Sequence, residues 1–356
     1  MGTRPEIIKM SPVIAELERR RLDYFIAHTG QHYSYEMDRV FFQELQLPQA
    51  RYNLDVGSGS HGAQTGKMLA GIEKILIEER PDVLLALGDT NSVFSGAMAA
   101  AKLHIAVGHV EAGLRSRDRS MPEEINRVLA DHLGDWLFAP TQGAKENLLR
   151  EGLPEDRIVV TGNTIVDALY RNTALAEARE DILHRFGLVR GGYFLVTAHR
   201  EENVDVEARL SGILKGLELV HRHFGAPVLF PMHPRTRKRI REFGLAVPEG
   251  VQVINPLGYL DFLLLERHAR LTLTDSGGVQ EEACILKVPC VTLRDNTERP
   301  ETIEVGANML AGCQADRVLD AARQMADRPR DWTNPFGEGA AAARIVETIT
   351  GSRGTR

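Results

Sequence analysis

The segment LTLTDSGGVQEEA, residues 271–283, contains the pattern that decides the fold. Its first four residues predict a short buried strand, and Ser276, Gly277 and Gly278 form a turn that opens a helix. The backbone N–H groups and the dipole at such a helix start bind anions, and glycines let a phosphate approach the backbone closely. Glu282 lies one turn into the helix, where a carboxylate can accept both hydroxyls of a ribose. The segment therefore favours a site for a nucleotide diphosphate.

The same alternation of short apolar runs and amphipathic helices extends along the whole chain. A helical stretch at about 164–186 separates two series of predicted strands, and other helices include 64–79, 206–223 and the alanine-rich 340–350. Alternating strands and helices predict mostly parallel sheets with helices on both faces, here in two doubly wound, Rossmann-like domains. The predicted strands are 24–28, 83–87, 105–110, 136–139 and 158–160, then 193–197, 227–230, 251–254, 271–274 and 289–293.

The start of the chain does not fit this layout. Residues 2–5, GTRP, resemble the loop that follows a first strand, yet only Met1 precedes them. In doubly wound sheets the first strand is usually central, and a sheet without it would contain a gap. We therefore expect that the first strand of the N-terminal domain is missing from this sequence.

Composition excludes several classes of protein. The 356 residues carry a net charge of -6, whereas nucleic-acid-binding proteins typically have an excess of basic residues. No apolar run approaches the roughly 18 residues of a membrane span, and the N-terminus has no signal-peptide pattern. The three cysteines, Cys284, Cys290 and Cys313, form no CxxC pair, so the sequence predicts free thiols in a reducing, cytoplasmic compartment rather than a zinc site.

Two carboxylates follow predicted strands of the first series. Asp89 comes just after strand 83–87, where a helix cap and a functional acid are equally good interpretations. Glu111 ends the next strand between Val110 and Ala112, a position at which a cap has little use. An acid walled by apolar neighbours suits acid–base chemistry, so the pattern favours a functional role for Glu111.

Four further titratable residues have weaker signals. Glu123 and Glu124 follow a proline at a helix start, where the helix dipole favours acids, and the pattern alone predicts only that structural role. His199 follows the first strand of the second series, where it could transfer a proton, bind an anion or serve as a hydrogen-bonded structural histidine. His233 ends another strand and could join the same site.

Three basic residues could neutralise a bound diphosphate. Arg4 and Lys9 lie in the first loop and helix, and Arg299 lies in the run TERPE at 297–301. Each of them, taken alone, is better explained as a solvated surface charge. Only their combination with the helix start at Ser276 indicates a phosphate site.

Taken in order, the motifs along the chain resemble those of the non-hydrolysing UDP-N-acetylglucosamine 2-epimerases. The match runs from Gly2 to about Ile349, and several of the motifs are specific on their own. The matching segments are GTRPE at 2–6, TGQHY at 29–33, GDT at 88–90, HVEAGLR at 109–115, MPEEINR at 121–127, TAHREEN at 197–203, TDSGGVQEE at 274–282 and TERPE at 297–301.

This resemblance implies an α/β, GT-B-like architecture with two doubly wound, Rossmann-like domains facing a central cleft. The N-terminal domain is expected at 1–167 and the nucleotide-binding C-terminal domain at 168–339, with the last helix, 340–356, returning to the first domain. The implied activity is the interconversion of UDP-N-acetylglucosamine (UDP-GlcNAc) and UDP-N-acetylmannosamine (UDP-ManNAc). The implied enzyme is a homodimer that uses neither NAD nor a metal nor another cofactor.

The resemblance also assigns roles to individual residues. The implied acid–base groups are Asp89, Glu111, Glu123 and His199. The implied nucleotide contacts are Arg4, Lys9, Phe262 near the uracil, Ser276, Gly277, Gly278, Glu282 and Arg299. Family members that are regulated by their own substrate carry a Gln-His-Arg-x-Met run, whereas this chain reads QHYSYEM at 31–37. The resemblance therefore does not extend to that regulatory run.

Three other functions remain compatible with the sequence. The first is an epimerase for UDP-2,3-diacetamido-glucuronic acid, although the run TERPE favours the enzymes that act on UDP-GlcNAc. The second is a GT-B glycosyltransferase, which shares the nucleotide-binding half but not three acids in the cleft. The third is a nucleotide-sugar binder without activity, if the expected late start disables the first domain.

Overall fold

The computed structural model of the protein describes residues 1–30, 41–177 and 182–351. The chain divides into two compact units, Met1–Arg171 with Phe336–Arg356, and Asn172–Pro335. None of the helices in the described ranges has the length and apolar character needed to cross a membrane.

The first unit consists of helices that surround parallel strands. The helix Ala341–Gly351, near the end of the chain, packs against the first helix, Arg4–Arg19, and its Ile345 and Val346 are fully buried in this unit. Its elements are α1 (Arg4–Arg19), β1 (Ala27–His28), β2 (Tyr52–Asn53), α2 (His61–Glu79), β3 (Val83–Leu87), α3 (Asn91–Lys102), β4 (Ala106–Val110), α4 (Pro122–Leu133), β5 (Trp136–Ala139), α5 (Gln142–Arg150), β6 (Ile158–Val160), most of α6 (Thr164–Glu177) and α15 (Ala341–Gly351).

The strands of the first unit form two separate parallel sheets. One is the pair β1–β2, and the other has the order β3-β4-β5-β6. The backbone of Met1 is hydrogen-bonded to Ala27 and Thr29 beside β1. A cavity of about 620 Å³ is lined by residues of α1, β1, α2 and β3. The expectation of a further strand ahead of Met1 stays a prediction.

The second unit contains one six-stranded sheet. Its core is formed by strand residues such as Phe194, Phe230 and Leu271, against which Leu210 and Ile213 of α9 pack. Its elements are α7 (Ile182–Arg185), β7 (Phe194–Thr197), α8 (Glu201–Val204), α9 (Glu207–Phe224), β8 (Val228–Pro231), α10 (Pro234–Glu242), β9 (Val251–Ile254), α11 (Tyr259–His268), β10 (Leu271–Thr274), α12 (Gly277–Ile285), β11 (Cys290–Thr292), α13 (Pro300–Glu304), β12 (Asn308–Leu310) and α14 (Ala315–Ala326).

The strand order of this sheet is β12-β11-β10-β7-β8-β9, and every pair is parallel. Counted from β7, this is the order 3-2-1-4-5-6 of a doubly wound Rossmann sheet, read from the opposite end. The chain reverses its direction of winding between β7 and β10. The crevice beyond the carboxyl ends of these two strands is therefore the expected place for a ligand.

All ten predicted strands are present, with shifted ends in several cases. The strand predicted at 24–28 is reduced to Ala27–His28, and the helix predicted from residue 64 begins at His61. The helical stretch predicted at about 164–186 contains α6 and α7, and residues 178–181 between them lie outside the described ranges. Strands β2 and β12 were not predicted from the sequence, because they have only two and three residues and are only partly buried.

A buried ion network fixes the loops that follow β3 and β4. The Nδ1 atom of His109 lies 2.6 Å from a carboxylate oxygen of Asp131, and its Nε2 atom lies 2.8 Å from the carbonyl oxygen of Gly88. Both partners are acceptors, so both ring nitrogens must donate, and only the protonated imidazole can do so. Burial opposes the charge, but the Asp131 carboxylate outweighs this effect, and the pKa of His109 is raised. Asp131 is also paired with Arg115 at 2.7 Å.

Two glycines of the first unit that share the same φ provide a matched test of backbone strain and packing. Gly113 and Gly152 both have φ of 81°, but a Cβ at Gly113 would lie 2.3 Å from the carbonyl oxygen of Ala144, whereas Gly152 has no neighbouring atom within 4 Å. We expect Gly152→Ala to lower the free energy of unfolding by about 1–2 kcal/mol through backbone strain alone. Gly113→Ala should lower it by about 1–3 kcal/mol more through steric overlap. Urea unfolding of both variants measures the difference, and equal losses would contradict the packing argument.

The charge of His109 predicts a dependence of stability on pH. The folded pKa of His109 lies above its unfolded value of about 6.5. The stabilisation from the charged imidazole is therefore complete below about pH 6.5 and is lost as the pH rises through the folded pKa. We expect the stability advantage of the wild type over His109→Gln to shrink with rising pH, as measured by urea unfolding at a series of pH values. An advantage that grows with rising pH would mean that His109 is neutral in the folded protein, and an advantage that does not change would mean that its pKa is the same in the folded and unfolded states.

Candidate active site

Two acidic residues lie in neighbouring loops at the carboxyl edge of the first unit's larger sheet. Leu87 at the end of β3 is paired with Val110 at the end of β4, and the N–H of Gly88 donates to the carbonyl of Val110 at 3.0 Å. Asp89 and Glu111 follow directly after this pair. A Cβ placed on Gly88 would lie 3.8 Å from a carboxylate oxygen of Glu111, so the two loops are in close contact.

Glu111 is held by its backbone and by a lysine. Its φ of 68° lies in the left-handed region, which costs a non-glycine residue energy and is most often found at functional positions. The Nζ atom of Lys9, on α1, lies 2.5 Å from the Oε1 atom of Glu111, and both side chains are about nine-tenths buried. This is a short, charge-assisted hydrogen bond. Lys9 therefore contacts an acid of the site, while its predicted contact with a nucleotide stays a prediction.

Asp89 is tied to helix α4 by two side chains. Its carboxylate forms an ion pair with the guanidinium of Arg127, and its backbone carbonyl accepts a hydrogen bond from Asn126 at 3.0 Å. The Asp89 side chain is 32% exposed, so one side of the carboxylate remains open to solvent. These contacts anchor the loop through α4 and leave the acid accessible.

The adjacent glutamates at the start of α4 have different environments. Glu124 is buried, and its carboxylate accepts hydrogen bonds from the backbone N–H groups of Ser116 and Arg117 at 2.9 and 3.0 Å. It thereby fixes the arginine-rich loop that follows β4. Glu123 is exposed, and in the described part of the chain its side chain forms no hydrogen bond or ion pair. A carboxylate without a structural partner is available for a ligand.

Arg4 is half-buried at the start of α1, and its guanidinium lies 4.7 Å above the ring of Phe41. Its predicted contact with a phosphate stays a prediction. The run QHYSYEM at 31–37, and with it part of the TGQHY motif, lies outside the described residues.

In the second unit, His199 and Asp275 meet at the point where the sheet changes direction. His199 follows β7, Asp275 follows β10, and the two strands are paired through Thr197 and Thr274. Asp275 is fully buried and accepts the backbone N–H groups of His199 and Arg200 at 2.9 and 3.0 Å. Its Oδ1 atom lies 3.2 Å from the Nδ1 atom of His199, whose side chain is 41% exposed.

This pair orients the histidine. Burial opposes the ionisation of Asp275, but hydrogen bonding to His199 outweighs it, and the pKa of Asp275 is lowered. The ionised carboxylate holds the Nδ1 side of the ring, which leaves Nε2 as the free position for proton transfer. His233 lies nearby, with its ring centre 5.9 Å from that of His199. Burial, and secondarily the charge of His199, lowers the pKa of His233.

Helix α12 begins immediately beyond this pair. Its N-cap is Ser276, and the backbone N–H groups of Gly277 and Gly278 form the open end of the helix. A Cβ on Gly277 or Gly278 would meet its nearest neighbour only at 3.7 or 3.9 Å, an ordinary contact distance. Packing within the protein therefore leaves room for a side chain at both positions. The absence of side chains keeps this helix end accessible to a ligand.

Charged side chains of the second unit surround the same helix. Arg299 lies 2.6 Å from the buried Glu281 through its Nε atom, which fixes the guanidinium beside α12. The buried Arg294 pairs with Glu202 at 2.7 Å and with Glu298 at 2.8 Å. Burial opposes the ionisation of Glu298, but the hydrogen bonds from Arg294 lower its pKa to about 2. The loops after β7 and β11 are thus joined by ion pairs.

The carboxylate of Glu282 lies between α12 and α11. The hydroxyl of Tyr259 donates to the Oε1 atom of Glu282 at 3.2 Å, and both residues are 8% exposed. Phe262 lies on the same helix as Tyr259 and is half-buried. The predicted ribose and uracil contacts therefore come from neighbouring helices of one unit.

Several residues that shape the site were missed by the sequence analysis. Asp275 belongs to the motif TDSGG, but no separate role was predicted for it from the sequence. Arg294, Asp131 and Arg127 were not predicted, because each of them forms an ion pair with a residue distant along the chain, namely Glu202, His109 and Asp89. The sequence signal for Arg294 is its position directly after the predicted strand 289–293.

Comparison with known proteins agrees with this geometry. The family model described as UDP-N-acetylglucosamine 2-epimerase matches residues 15–350. The UDP-N-acetylglucosamine 2-epimerase of Methanocaldococcus jannaschii is 55% identical over 356 residues, which cover 98% of this chain and 97% of that protein. The UDP-2,3-diacetamido-2,3-dideoxy-D-glucuronate 2-epimerase of Pseudomonas aeruginosa is 43% identical, with 98% of each chain covered.

A solved structure supports the same relationship. The crystal structure of the M. jannaschii enzyme in complex with UDP-GlcNAc and UDP superposes with a TM-score of 0.89 at 55% identity, covering 99% of this chain and 98% of that chain. The predicted fold class, α/β and GT-B-like with two Rossmann-like units, is thereby confirmed. By the extent of both matches, the chain belongs to the UDP-N-acetylglucosamine 2-epimerase family.

Proposed function

We propose that the protein interconverts UDP-GlcNAc and UDP-ManNAc by eliminating UDP and adding it back with inversion at C2. The observation that carries the proposal is the pair of carboxylates, Asp89 and Glu111, that follows the adjacent residues Leu87 and Val110 of two parallel strands. Nucleotide binding alone does not require two acids at one sheet edge, whereas moving a proton on a sugar does.

The chemistry explains why the leaving group matters as much as the base. The proton at C2 is not adjacent to a carbonyl, so a base alone cannot remove it at a useful rate. In an elimination, the C2 proton passes to a carboxylate while the C1–O bond breaks and its electron pair goes to the diphosphate. The products are 2-acetamidoglucal and UDP. Re-addition of UDP, with a proton delivered to the opposite face of C2, gives the epimer.

We assign the nucleotide to the second unit. The start of α12 offers N–H groups to the diphosphate, and the room beside Gly277 and Gly278 supports close approach of its oxygens. Such donors stabilise the charge that develops as the diphosphate leaves. Glu282 would take the ribose hydroxyls and Phe262 the uracil. Arg299 and, from the first unit, Arg4 and Lys9 would supply positive charge.

We assign proton transfer to Asp89, Glu111, Glu123 and His199. Inversion at C2 requires groups that serve both faces of the sugar, which a single acid cannot do. The hydrogen bond from Lys9 supports a fixed position for Glu111, and the contact with Asp275 supports a fixed orientation of His199. The exposed carboxylate of Glu123 supports direct contact with substrate.

The proposal also places the enzyme in the cytoplasm as a homodimer. The three cysteines are free and buried, which supports a reducing compartment. The subunit number can be measured by sedimentation. The relative that acts on a diacetamido-glucuronate nucleotide makes that compound the first alternative substrate to test.

Proton exchange tests the proposed reaction directly. Proton NMR of the purified protein with UDP-GlcNAc in D2O should show UDP-ManNAc with deuterium at C2, because the abstracted proton exchanges with solvent before re-addition. A glycosyltransferase would leave C2 protonated. Absence of exchange with UDP-GlcNAc, while UDP still binds, would refute this substrate, and exchange with the diacetamido-glucuronate nucleotide would identify the alternative.

The adjacent glutamates of α4 separate function from stability. Glu123→Gln should reduce kcat at least about 100-fold, the lower range for loss of a general acid or base, with an unchanged melting temperature. Glu124→Gln is the matched control, because it weakens the hydrogen bonds to the loop at Ser116 and Arg117 and should lower the melting temperature. Full activity of Glu123→Gln would remove this residue from the proposed mechanism.

A further inference from the structure

Glu6 is a buried acid to which the proposed reaction assigns no role. It is the last residue of the motif GTRPE and lies on α1 with 4% of its surface exposed. Its Oε2 atom accepts a hydrogen bond from the backbone N–H of Gly2 at 2.6 Å, and its Oε1 atom accepts one from the hydroxyl of Thr90 at 2.6 Å. Glu6 therefore joins the beginning of the chain to the loop that carries Asp89.

Helix capping explains only one of these two hydrogen bonds. Thr3 is the N-cap of α1, and Glu6 lies three residues later, at the position from which an acid commonly reaches back to the start of its helix. The hydrogen bond from Gly2 fits that pattern. The hydrogen bond from Thr90 joins residues that are 84 positions apart in the sequence, and it caps no part of α1. This second contact needs a separate explanation.

Thr90 forms this contact instead of a local one. It is the N-cap of α3, a position where the oxygen of a threonine usually accepts a backbone N–H of its own helix. The side chain of Thr90 forms no such cap. Thr141, the N-cap of α5, does form one, because its hydroxyl accepts the N–H of Ala144 at 3.2 Å. Thr90 is thus oriented by a helix that is distant in sequence rather than by its own.

A second residue of α1 holds the other strand-end acid of this unit. Lys9 lies three residues after Glu6, on the same face of the helix, and its Nζ atom lies 2.5 Å from the carboxylate of Glu111. Thr90 directly follows Asp89 in the sequence. Helix α1 therefore contacts both acid-bearing loops, and one helix that is bonded to both loops fixes their relative position.

We propose that Glu6 is a positioning residue for proton transfer, because through Thr90 it fixes the loop that carries Asp89. Since Lys9 of the same helix holds Glu111, this contact sets the distance between the two acids. The inference rests on the proposed function, which assigns proton transfer at C2 to both acids. Displacing a catalytic group by about 1 Å can lower a rate about 100-fold, so the contact controls the rate without touching the substrate.

Substitutions of Thr90 test the inference through the rate of epimerisation. Thr90→Val removes the hydroxyl and should lower kcat about 10- to 100-fold, while the KM for UDP-GlcNAc changes by less than about twofold. Thr90→Ser keeps the hydroxyl and should retain most of the activity. Thr141→Val is the matched control, because it removes a threonine hydroxyl from the N-cap of α5, and it should lower the melting temperature without changing kcat.

A double-mutant cycle shows whether Glu6 acts through Thr90. Glu6→Met removes the acceptor of the same hydrogen bond and should lower kcat at least as much as Thr90→Val. If the two residues act as one unit, the double variant should have the kcat of Glu6→Met alone. Losses that multiply in the double variant, or equal losses in Thr90→Val and Thr90→Ser, would overturn the inference. The comparison of Thr90→Val with Thr90→Ser decides the point by itself if Glu6→Met does not fold.

Proton exchange at C2 separates this inference from the proposed function on which it rests. If the wild type exchanges the C2 proton of UDP-GlcNAc in D2O and Thr90→Val exchanges it equally fast, the role of Glu6 is refuted and the proposed function stands. If the wild type shows no exchange, the proposed function fails and the role of Glu6 fails with it. Exchange that is about 10- to 100-fold slower in Thr90→Val than in the wild type supports both statements.

Discussion

The parallel pairing of strands is the constraint on which the rest of this structure depends. Because neighbouring parallel strands point the same way, the loops that follow them emerge at one edge of the sheet. In the first unit this places Asp89 and Glu111 in neighbouring loops, although they are 22 residues apart in the chain. In the second unit it joins His199 to Asp275 across 76 residues. Formation of the sheets therefore places functional side chains from distant parts of the sequence at one edge of each sheet.

Buried charges then fix the loops that the sheets bring together. Asp131 binds the loops after β3 and β4 through His109 and Arg115, and Asp275 binds the loop after β7 through backbone N–H groups. Breaking such a buried pair leaves an uncompensated charge, which costs about 3–5 kcal/mol. These contacts hold the acids and the histidine in place before any substrate arrives. A site that is rigid in advance loses less entropy on binding.

The sequence allowed the sheets and the strand-end residues to be predicted, because both depend on local patterns. Runs such as 83–87 are apolar throughout and are followed at once by polar residues, so Asp89 and Glu111 could be placed at strand ends from the sequence alone. The partners of those residues could not be predicted. Lys9 meets Glu111 across 102 residues of sequence, and no local pattern records that contact. The sequence pattern likewise predicts only a helix-start acid at Glu124, and its hydrogen bond to the loop at Ser116 is visible only in the structure.

The division of the chain has a consequence for its synthesis. Residues 172–335 of the second unit are continuous, whereas the first unit is completed only by residues 336–351, whose helix α15 packs against α1. On the ribosome, the second unit is therefore whole before the first unit is, even though the first unit contains the N-terminus. The surface of α1 that α15 covers in the folded unit stays exposed until α15 has left the exit tunnel. Domains of a growing chain generally fold from the N-terminus onward, and here the order of completion is reversed.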